Sequence, residues 1–271
     1  MTTGSGIQGI QLDHVAVATY DQDGAWPRYA GDLGGRWISR GESVGFTAAQ
    51  VAFGNGMRLE VLEPNLVEHN DFLQRFLDRN GPGPHHLTYK VRDLVSALGQ
   101  AELAGYRPVS VDLSSDHWKE AFLHPKDAPG VVIQLAQAAG DWSSPPPADL
   151  PTSRRARPAV LEHVTHVVGD LTDGTRLFCD LLSGGVLDEG TDEIGRYVLV
   201  GWPGPGRVRL VSPAAGSPVR AWLGSRVGAV HHIAFSLDDP DDVPAAKEVS
   251  PGVWELAPED NDGVRLVLRR A

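Results

Sequence analysis

Short runs of alternating apolar and polar residues predict strands in the first third of the chain. Residues 11–19 alternate and are rich in Val and Ala, which is typical of a half-buried strand. A helix is predicted next, because apolar residues recur on one helical face between Trp26 and Leu33 and two glycines follow. Residues 46–53 and 57–63 predict further strands joined by a glycine-rich turn. We interpret this order as a βαβββ unit, of which the pattern locates three of the four strands.

A strand with two adjacent histidines shows that the pattern repeats. The segment Gly83-Pro-His-His-Leu-Thr-Tyr-Lys-Val91 has a close copy, Ala229-Val-His-His-Ile-Ala-Phe-Ser-Leu237, 146 residues later. An earlier pair, Leu12-Asp-His-Val-Ala-Val17 and Leu161-Glu-His-Val-Thr-His166, is offset by 149 residues. Self-similarity of this kind indicates one design used twice. We therefore predict an α+β fold of four βαβββ units in two tandem domains.

A proline-rich stretch predicts the boundary between these domains. Residues 138–160 contain five prolines and have no hydrophobic period, which is typical of a semi-rigid linker. The predicted organisation is a first domain at 1–138, a linker at 139–158 and a second domain at 159–271. The last unit is shortened, because residues 238–244 leave little room for a helix.

The strands of the first domain have one apolar and one polar face, since strand side chains alternate. A solvated outer surface would explain the polar face. A converging set of imidazole, carboxylate and amide groups from four strands explains it equally well, and such groups suit a divalent metal ion such as Co, Ni, Mn, Zn or Fe. The residues of this face are His14, Arg58, Glu60, His86, Thr88, Lys90 and Gln134.

Charge and cysteine content limit the partners. The formal net charge of -11 argues against nucleic acid or an anionic membrane as a partner, so a small-molecule substrate is expected, and a homodimer stays open as the assembly. Cys179 is the single cysteine, which excludes an intrachain disulfide and fits a reducing compartment. The sequence has neither a basic, apolar leader pattern at its start nor a run of membrane-spanning length. A cytoplasmic location is therefore expected.

Several segments between residues 11 and 137 resemble the vicinal oxygen chelate superfamily in order and spacing. This superfamily includes glyoxalase I, extradiol dioxygenases, bleomycin-resistance proteins and methylmalonyl-CoA epimerase, and the epimerase is the most similar of these. The resemblance rests on Leu12-Asp-His-Val-Ala-Val17, Leu59-Glu-Val-Leu-Glu-Pro64, Gly83-Pro-His-His-Leu87 and Gly130-Val-Val-Ile-Gln-Leu135. It implies two tandem glyoxalase-like domains, each a cupped sheet of two βαβββ units around one metal ion.

The resemblance also implies a ligand set of His14, Glu60, His86 and Gln134. The epimerases have a glutamate on the last of these four strands, whereas this chain has Gln134 there and a glutamate at Glu60. The exchange keeps the composition of the ligand set. It removes the last-strand base, because an amide cannot accept a proton in catalysis. We therefore expect Glu60 to be the catalytic base.

The second domain departs from this pattern. Its aligned positions are His163, Arg209, His232 and Val267. A guanidinium has no lone pair to offer a cation, so no metal ion is expected there. Three arginines of one face, Arg207, Arg209 and Arg265, predict a site for a carboxylate or phosphate, or else pair with acidic neighbours.

The leading hypothesis is a metal-dependent enzyme of this superfamily with epimerase or isomerase chemistry on a small carboxylic acid or acyl-CoA thioester, through a metal-stabilised enolate. The contrasting hypothesis is a metal-free protein that binds a small molecule such as a drug, as in resistance proteins. A minor alternative is an Fe(II) extradiol dioxygenase, whose carboxylate ligand resembles the position of Gln134.

Overall fold

The computed structural model describes residues 6–271, which form two eight-stranded sheets. The strands of the first sheet are β1 (Gln11–Ala18), β2 (Arg36–Ser43), β3 (Phe46–Ala52), β4 (Arg58–Glu63), β5 (Gly83–Lys90), β6 (Pro108–Asp112), β7 (Trp118–Leu123) and β8 (Val132–Ala138). Their order across the sheet is β2-β3-β4-β1-β5-β8-β7-β6. The central strands β1 and β4 are parallel, as are β5 and β8, and the outer pairs are antiparallel.

The second sheet repeats this arrangement. Its strands are β9 (Val160–Val168), β10 (Gly185–Thr191), β11 (Gly195–Gly201), β12 (Arg207–Pro213), β13 (Gly228–Leu237), β14 (Lys247–Ser250), β15 (Val253–Leu256) and β16 (Leu266–Arg270). Their order is β10-β11-β12-β9-β13-β16-β15-β14, which matches the first sheet strand for strand. The predicted α+β fold of tandem βαβββ units is thus confirmed.

The helices are short, and the helix at Phe72–Asn80 packs against Ala16, Ala18 and Leu62, on the side of the first sheet that also carries His14 and Glu60. The helices are α1 (Phe72–Asn80), α2 (Leu94–Leu103), α3 (Leu171–Thr175) and α4 (Pro218–Leu223), together with π-helical turns at Pro27–Asp32 and Arg176–Leu181. Asp93 caps α2 by accepting a hydrogen bond from the backbone N–H of Ser96. The helix predicted between Trp26 and Leu33 has its apolar face buried but is π-helical. No helix within residues 6–271 is long and apolar enough to cross a membrane.

The chain forms two compact units, and each combines both halves of the sequence. One unit contains the described residues up to Asp13 with 86–141 and 163–231, and the other contains 14–85, 142–162 and 232–271. Within the first unit the rings of Tyr89 and Trp202 pack edge to face with centroids 5.0 Å apart. Within the second, Phe53 and Phe235 pack in the same way at 4.8 Å. Residues from the two halves therefore share a core inside each unit.

Two glycines make equivalent contacts between the halves, one in each unit. A Cβ atom on Gly130 would be 1.8 Å from the carbonyl oxygen of Gly228, and one on Gly263 would be 1.8 Å from that of Pro82. Both glycines have positive φ, at 74° and 71°. A side chain at either position would thus meet a fixed backbone atom as well as an unfavourable backbone conformation.

Some strands were not predicted from the sequence. The strand β2 completes the first βαβββ unit, and β10, β14 and β15 complete the second half. Every residue of β10 and β14 is exposed, so these strands bury no apolar face that alternation could have identified. The predicted shortening of the last unit is confirmed, because a 3₁₀ turn at Pro240–Asp242 replaces the helix.

Candidate metal centre

The strands that carry the four predicted ligands are neighbours in the first sheet. Their order is β4, β1, β5 and β8, which carry Glu60, His14, His86 and Gln134. These side chains are 8%, 1%, 5% and 7% exposed, so the predicted polar face is buried at this point and is not a solvated surface. Burying two imidazoles, a carboxylate and an amide is unfavourable unless they are paired or bind an ion.

The structure brings His14, Glu60 and His86 together. One ligand atom from each of the three side chains lies within 4.8 Å of those of the other two. A search of the described residues for at least three histidine, cysteine or acidic side chains spaced in this way finds this group. Glu60 pairs with Ala16 in the parallel register of β1 and β4, which places it diagonally beside His14. The distance from His14 Nε2 to Glu60 Oε2 is 3.4 Å.

This spacing fits a shared metal ion. Two ligands bound about 2.1 Å from a metal at a tetrahedral angle lie about 3.4 Å apart. Imidazole nitrogens with one carboxylate oxygen are donors that first-row divalent ions accept. The residues present therefore fit the metal ion that the sequence implied, in donor type, burial and the separation of His14 from Glu60.

The carboxylate of Glu60 has a neighbour that the sequence interpretation missed. Gln50 lies on β3 and donates a hydrogen bond of 2.9 Å from Nε2 to Oε1 of Glu60. This contact leaves Oε2 as the oxygen nearer to His14. The pairing of Gln50 with Glu60 in the antiparallel register of β3 and β4 accounts for the contact.

The carboxamide of Gln134 is held from both sides. Thr88, which pairs with Gln134 in the register of β5 and β8, donates its hydroxyl to Oε1. The other end, Nε2, donates a hydrogen bond of 2.7 Å to Oε2 of Glu120 on β7. The same carboxylate oxygen accepts a 2.8 Å hydrogen bond from Trp118 Nε1. Neither Glu120 nor Trp118 was among the residues predicted from the sequence.

The first histidine of each double-histidine strand packs against an aromatic side chain. His85 packs against Phe76 with ring centroids 4.6 Å apart, and burial lowers the pKa of His85 to about 4, although the nearby Glu60 acts against this. His231 packs against Trp222 at the same distance. Both side chains therefore contact aromatic residues of the short helices α1 and α4.

In the second half, Arg209 occupies the position that corresponds to Glu60. Arg209 pairs with Thr165 in the register by which Glu60 pairs with Ala16. Its guanidinium forms an ion pair with Asp192 and lies 4.3 Å above the ring of Tyr197.

The other two predicted anion-binding arginines are also engaged. Arg265 forms an ion pair with Glu255. Arg207 donates to the backbone carbonyls of Trp202, Gly204 and Gly206. These contacts favour the interpretation of the arginines as partners of neighbouring groups, and the anion site stays a prediction.

Known proteins support the assignment of the first half. Residues 13–122 match the model of the Glyoxalase/Bleomycin resistance protein/Dioxygenase superfamily. The ethylmalonyl-CoA/methylmalonyl-CoA epimerase of Cereibacter sphaeroides is 30% identical over 133 residues, which are 47% of this chain and 97% of that protein. The human mitochondrial methylmalonyl-CoA epimerase is also 30% identical over 133 residues, covering 47% of this chain and 74% of the human protein.

A solved structure extends the likeness to both halves. A mutant of 4-hydroxymandelate synthase from Streptomyces coelicolor superimposes with a TM-score of 0.61 over 84% of this chain and 71% of that chain. Its sequence identity is 18%, so the likeness concerns the fold alone. Two sheets of the same strand order, a matching family model and a 30% identical relative covered over 97% of its length agree on one conclusion: the chain belongs to the glyoxalase/bleomycin resistance/dioxygenase superfamily.

Proposed function

We propose that the first half of the chain holds a divalent metal ion and catalyses epimerisation or isomerisation of a small carboxylic acid or acyl-CoA thioester. The observation that carries this proposal is the buried group of His14, Glu60 and His86, whose ligand atoms lie within 4.8 Å of one another. A protein that binds a small molecule without a metal ion would not need two imidazoles and a carboxylate in one buried place.

The proposed ligands are His14, Glu60 and His86, with the carboxamide oxygen of Gln134 as the fourth. The bound ion would act as a Lewis acid on two neighbouring substrate oxygens, a contribution of several kcal/mol. Co, Ni, Mn, Zn and Fe all fit this donor set, since imidazole and carboxylate suit each of them.

Glu60 is the proposed proton acceptor. It would take the proton from the carbon beside the substrate carbonyl, while the electron pair of the broken C–H bond passes to the carbonyl as an enolate. The hydrogen bond from Gln50 holds this carboxylate in place. Epimerisation would be complete when a proton from solvent reaches the opposite face of the enolate carbon, and Gln134 takes no part in proton transfer because an amide is not a base at neutral pH.

The substrate class rests on the relatives. Two proteins with 30% identity to this chain bear the name of epimerases of methylmalonyl-CoA, which supports an acyl-CoA thioester as the first substrate to test. In the epimerases the glutamate is on the last of the four strands, whereas here it is Glu60. We therefore propose that the proton is taken from the other side of the metal ion, with a stereochemical course that differs from that of the epimerases.

A second candidate is an Fe(II) oxygenase. Two histidines and one carboxylate are the donor set of many non-haem iron oxygenases, and His14, His86 and Glu60 supply it. The fold also matches a 4-hydroxymandelate synthase over most of this chain. The two candidates differ in the metal they need and in whether oxygen is consumed.

The experiment that tests the proposal is metal analysis of protein purified without chelator, beside a His86→Ala variant. We expect about one divalent ion per chain in the wild type and loss of it in the variant. Absence of bound metal, with no rise in melting temperature on addition of Co or Mn, would refute the proposal. Deuterium uptake at the alpha carbon of methylmalonyl-CoA then tests the reaction, and oxygen consumption with Fe(II) tests the second candidate.

A further inference from the structure

We propose that Glu120 is a positioning residue that keeps the carboxamide oxygen of Gln134 turned toward the metal ion. This inference rests on the proposed metal centre. Glu120 lies on β7 and Gln134 on β8, and β8 lies between β7 and β5, the strand that carries His86. The orientation of the Gln134 carboxamide therefore decides which of its ends lies toward β5.

The two ends of a carboxamide are chemically opposite. The oxygen has lone pairs that a metal ion accepts, and the nitrogen offers only N–H donors, which a cation repels. Without a neighbour that distinguishes the ends, a glutamine of nearly symmetric shape could rotate either one toward the site. Gln134 can act as a ligand in one of these orientations and not in the other.

Glu120 settles the orientation. An ionised carboxylate accepts hydrogen bonds and donates none, so the end of Gln134 that lies 2.7 Å from Glu120 Oε2 must be the nitrogen. The oxygen is then on the β5 side, where the hydroxyl of Thr88 donates to it. Thr88 does not settle the orientation by itself, because a hydroxyl can either donate or accept.

The carboxylate that performs this role is itself held. Trp118 Nε1 donates a hydrogen bond of 2.8 Å to Oε2 of Glu120, the same oxygen that receives the Gln134 N–H. An indole N–H can only donate, so it fits a carboxylate and would not favour a competing donor at this position. Thr88 thus donates to Gln134, and both Gln134 and Trp118 donate to Glu120, which is the common acceptor.

Glu120 also places a negative charge behind a neutral ligand. A divalent ion with Glu60 as its one anionic ligand retains a net positive charge in a buried site. Glu120 is not part of the group of close ligand atoms, yet it contacts Gln134 directly and polarises the amide so that its oxygen becomes a better donor to a cation. Ligands supported in this way bind metal ions more tightly.

The test measures Co²⁺ affinity of the full chain by calorimetry, with the visible absorbance of bound Co²⁺ as a second signal. We expect Glu120→Gln to weaken Co²⁺ binding by about 10- to 100-fold and to change the absorbance, because the amide is no longer held in one orientation. The double variant Glu120→Gln with Gln134→Glu should restore binding, since a carboxylate at 134 presents an oxygen in either orientation. Glu255→Gln, which removes an ion pair on β15, is the control and should leave Co²⁺ affinity unchanged.

The outcomes separate this inference from the proposed function. A wild-type chain that binds no Co²⁺ would refute both. A wild-type chain that binds Co²⁺ while Glu120→Gln binds it equally well would refute the role of Glu120 and leave the metal centre standing. A double variant no better than Glu120→Gln, although its melting temperature without metal equals that of the wild type, would also refute the positioning role.

Discussion

Gln50 donates a hydrogen bond of 2.9 Å to Oε1 of Glu60, from the neighbouring strand β3. An amide therefore supports a carboxylate on this side of the candidate centre, while on β7 and β8 a carboxylate supports an amide. In each pair the member proposed as a ligand is oriented by the other.

The Gln50→Met variant should weaken metal binding by about 10-fold, because Met keeps the volume and removes the donor that fixes Glu60. Calorimetric titration with Co²⁺ measures the effect. Gln137→Met is a matched control: Gln137 accepts a hydrogen bond from the backbone of Leu94, so this variant should lose stability without losing Co²⁺ affinity. Equal affinities of Gln50→Met and wild type would show that Glu60 needs no support from β3.

The Glu60→Gln variant should reduce deuterium exchange at the alpha carbon of methylmalonyl-CoA by at least about 100-fold, because an amide cannot accept the proton. The rate is measured by mass spectrometry at a metal concentration that saturates the variant. An exchange rate within about tenfold of the wild type would assign the proton transfer to another residue.

Acidification should destabilise the fold through His166. This side chain is fully buried, its Nε2 lies 2.6 Å from the carbonyl oxygen of Pro129, and burial lowers the pKa of His166 to about 4, although two backbone hydrogen bonds act against this. The unfolded chain takes up a proton at this histidine near pH 6.5, whereas the folded chain does so only near pH 4. The contribution of neutral His166 to the free energy of unfolding is therefore complete above pH 6.5 and is lost as pH falls toward 4.

The free energy of unfolding should fall by roughly 3 kcal/mol between pH 6.5 and pH 4 because of His166. Urea unfolding between pH 7 and 4.5 measures it, and His166→Gln should flatten the dependence of the unfolding free energy on pH. His69 is exposed, so His69→Gln should leave the dependence unchanged. Identical slopes for His166→Gln and wild type would contradict the prediction.

The Gly130→Ala and Gly263→Ala variants should each lose more than about 3 kcal/mol of unfolding free energy, since the new methyl group meets a carbonyl oxygen and the backbone has positive φ. Gly99 lies inside α2 with open space around it, so Gly99→Ala should gain up to about 1 kcal/mol. Chemical denaturation of the three variants measures these changes in the free energy of unfolding. A small loss at Gly130 would mean that the contact with Gly228 can open at little cost.

The sequence predicted the repeated fold because alternation and the two double-histidine strands carry strong local signals. It also predicted that His14, Glu60 and His86 share a face, because alternation along a strand determines the face of each side chain. The partners Gln50 and Glu120 were missed for a different reason. Their contacts with Glu60 and Gln134 depend on the antiparallel registers of β3 with β4 and of β7 with β8, which hairpin geometry sets and alternation does not reveal.

The two halves of the chain keep their glycine contacts although they differ at the positions of two proposed metal ligands. The second half has Arg209 and Val267 where the first has Glu60 and Gln134, yet Gly263 and Gly228 still meet the backbone of the first half. The contacts that join the halves are made by glycines and backbone atoms, so a change of side chain at positions such as Arg209 leaves them in place.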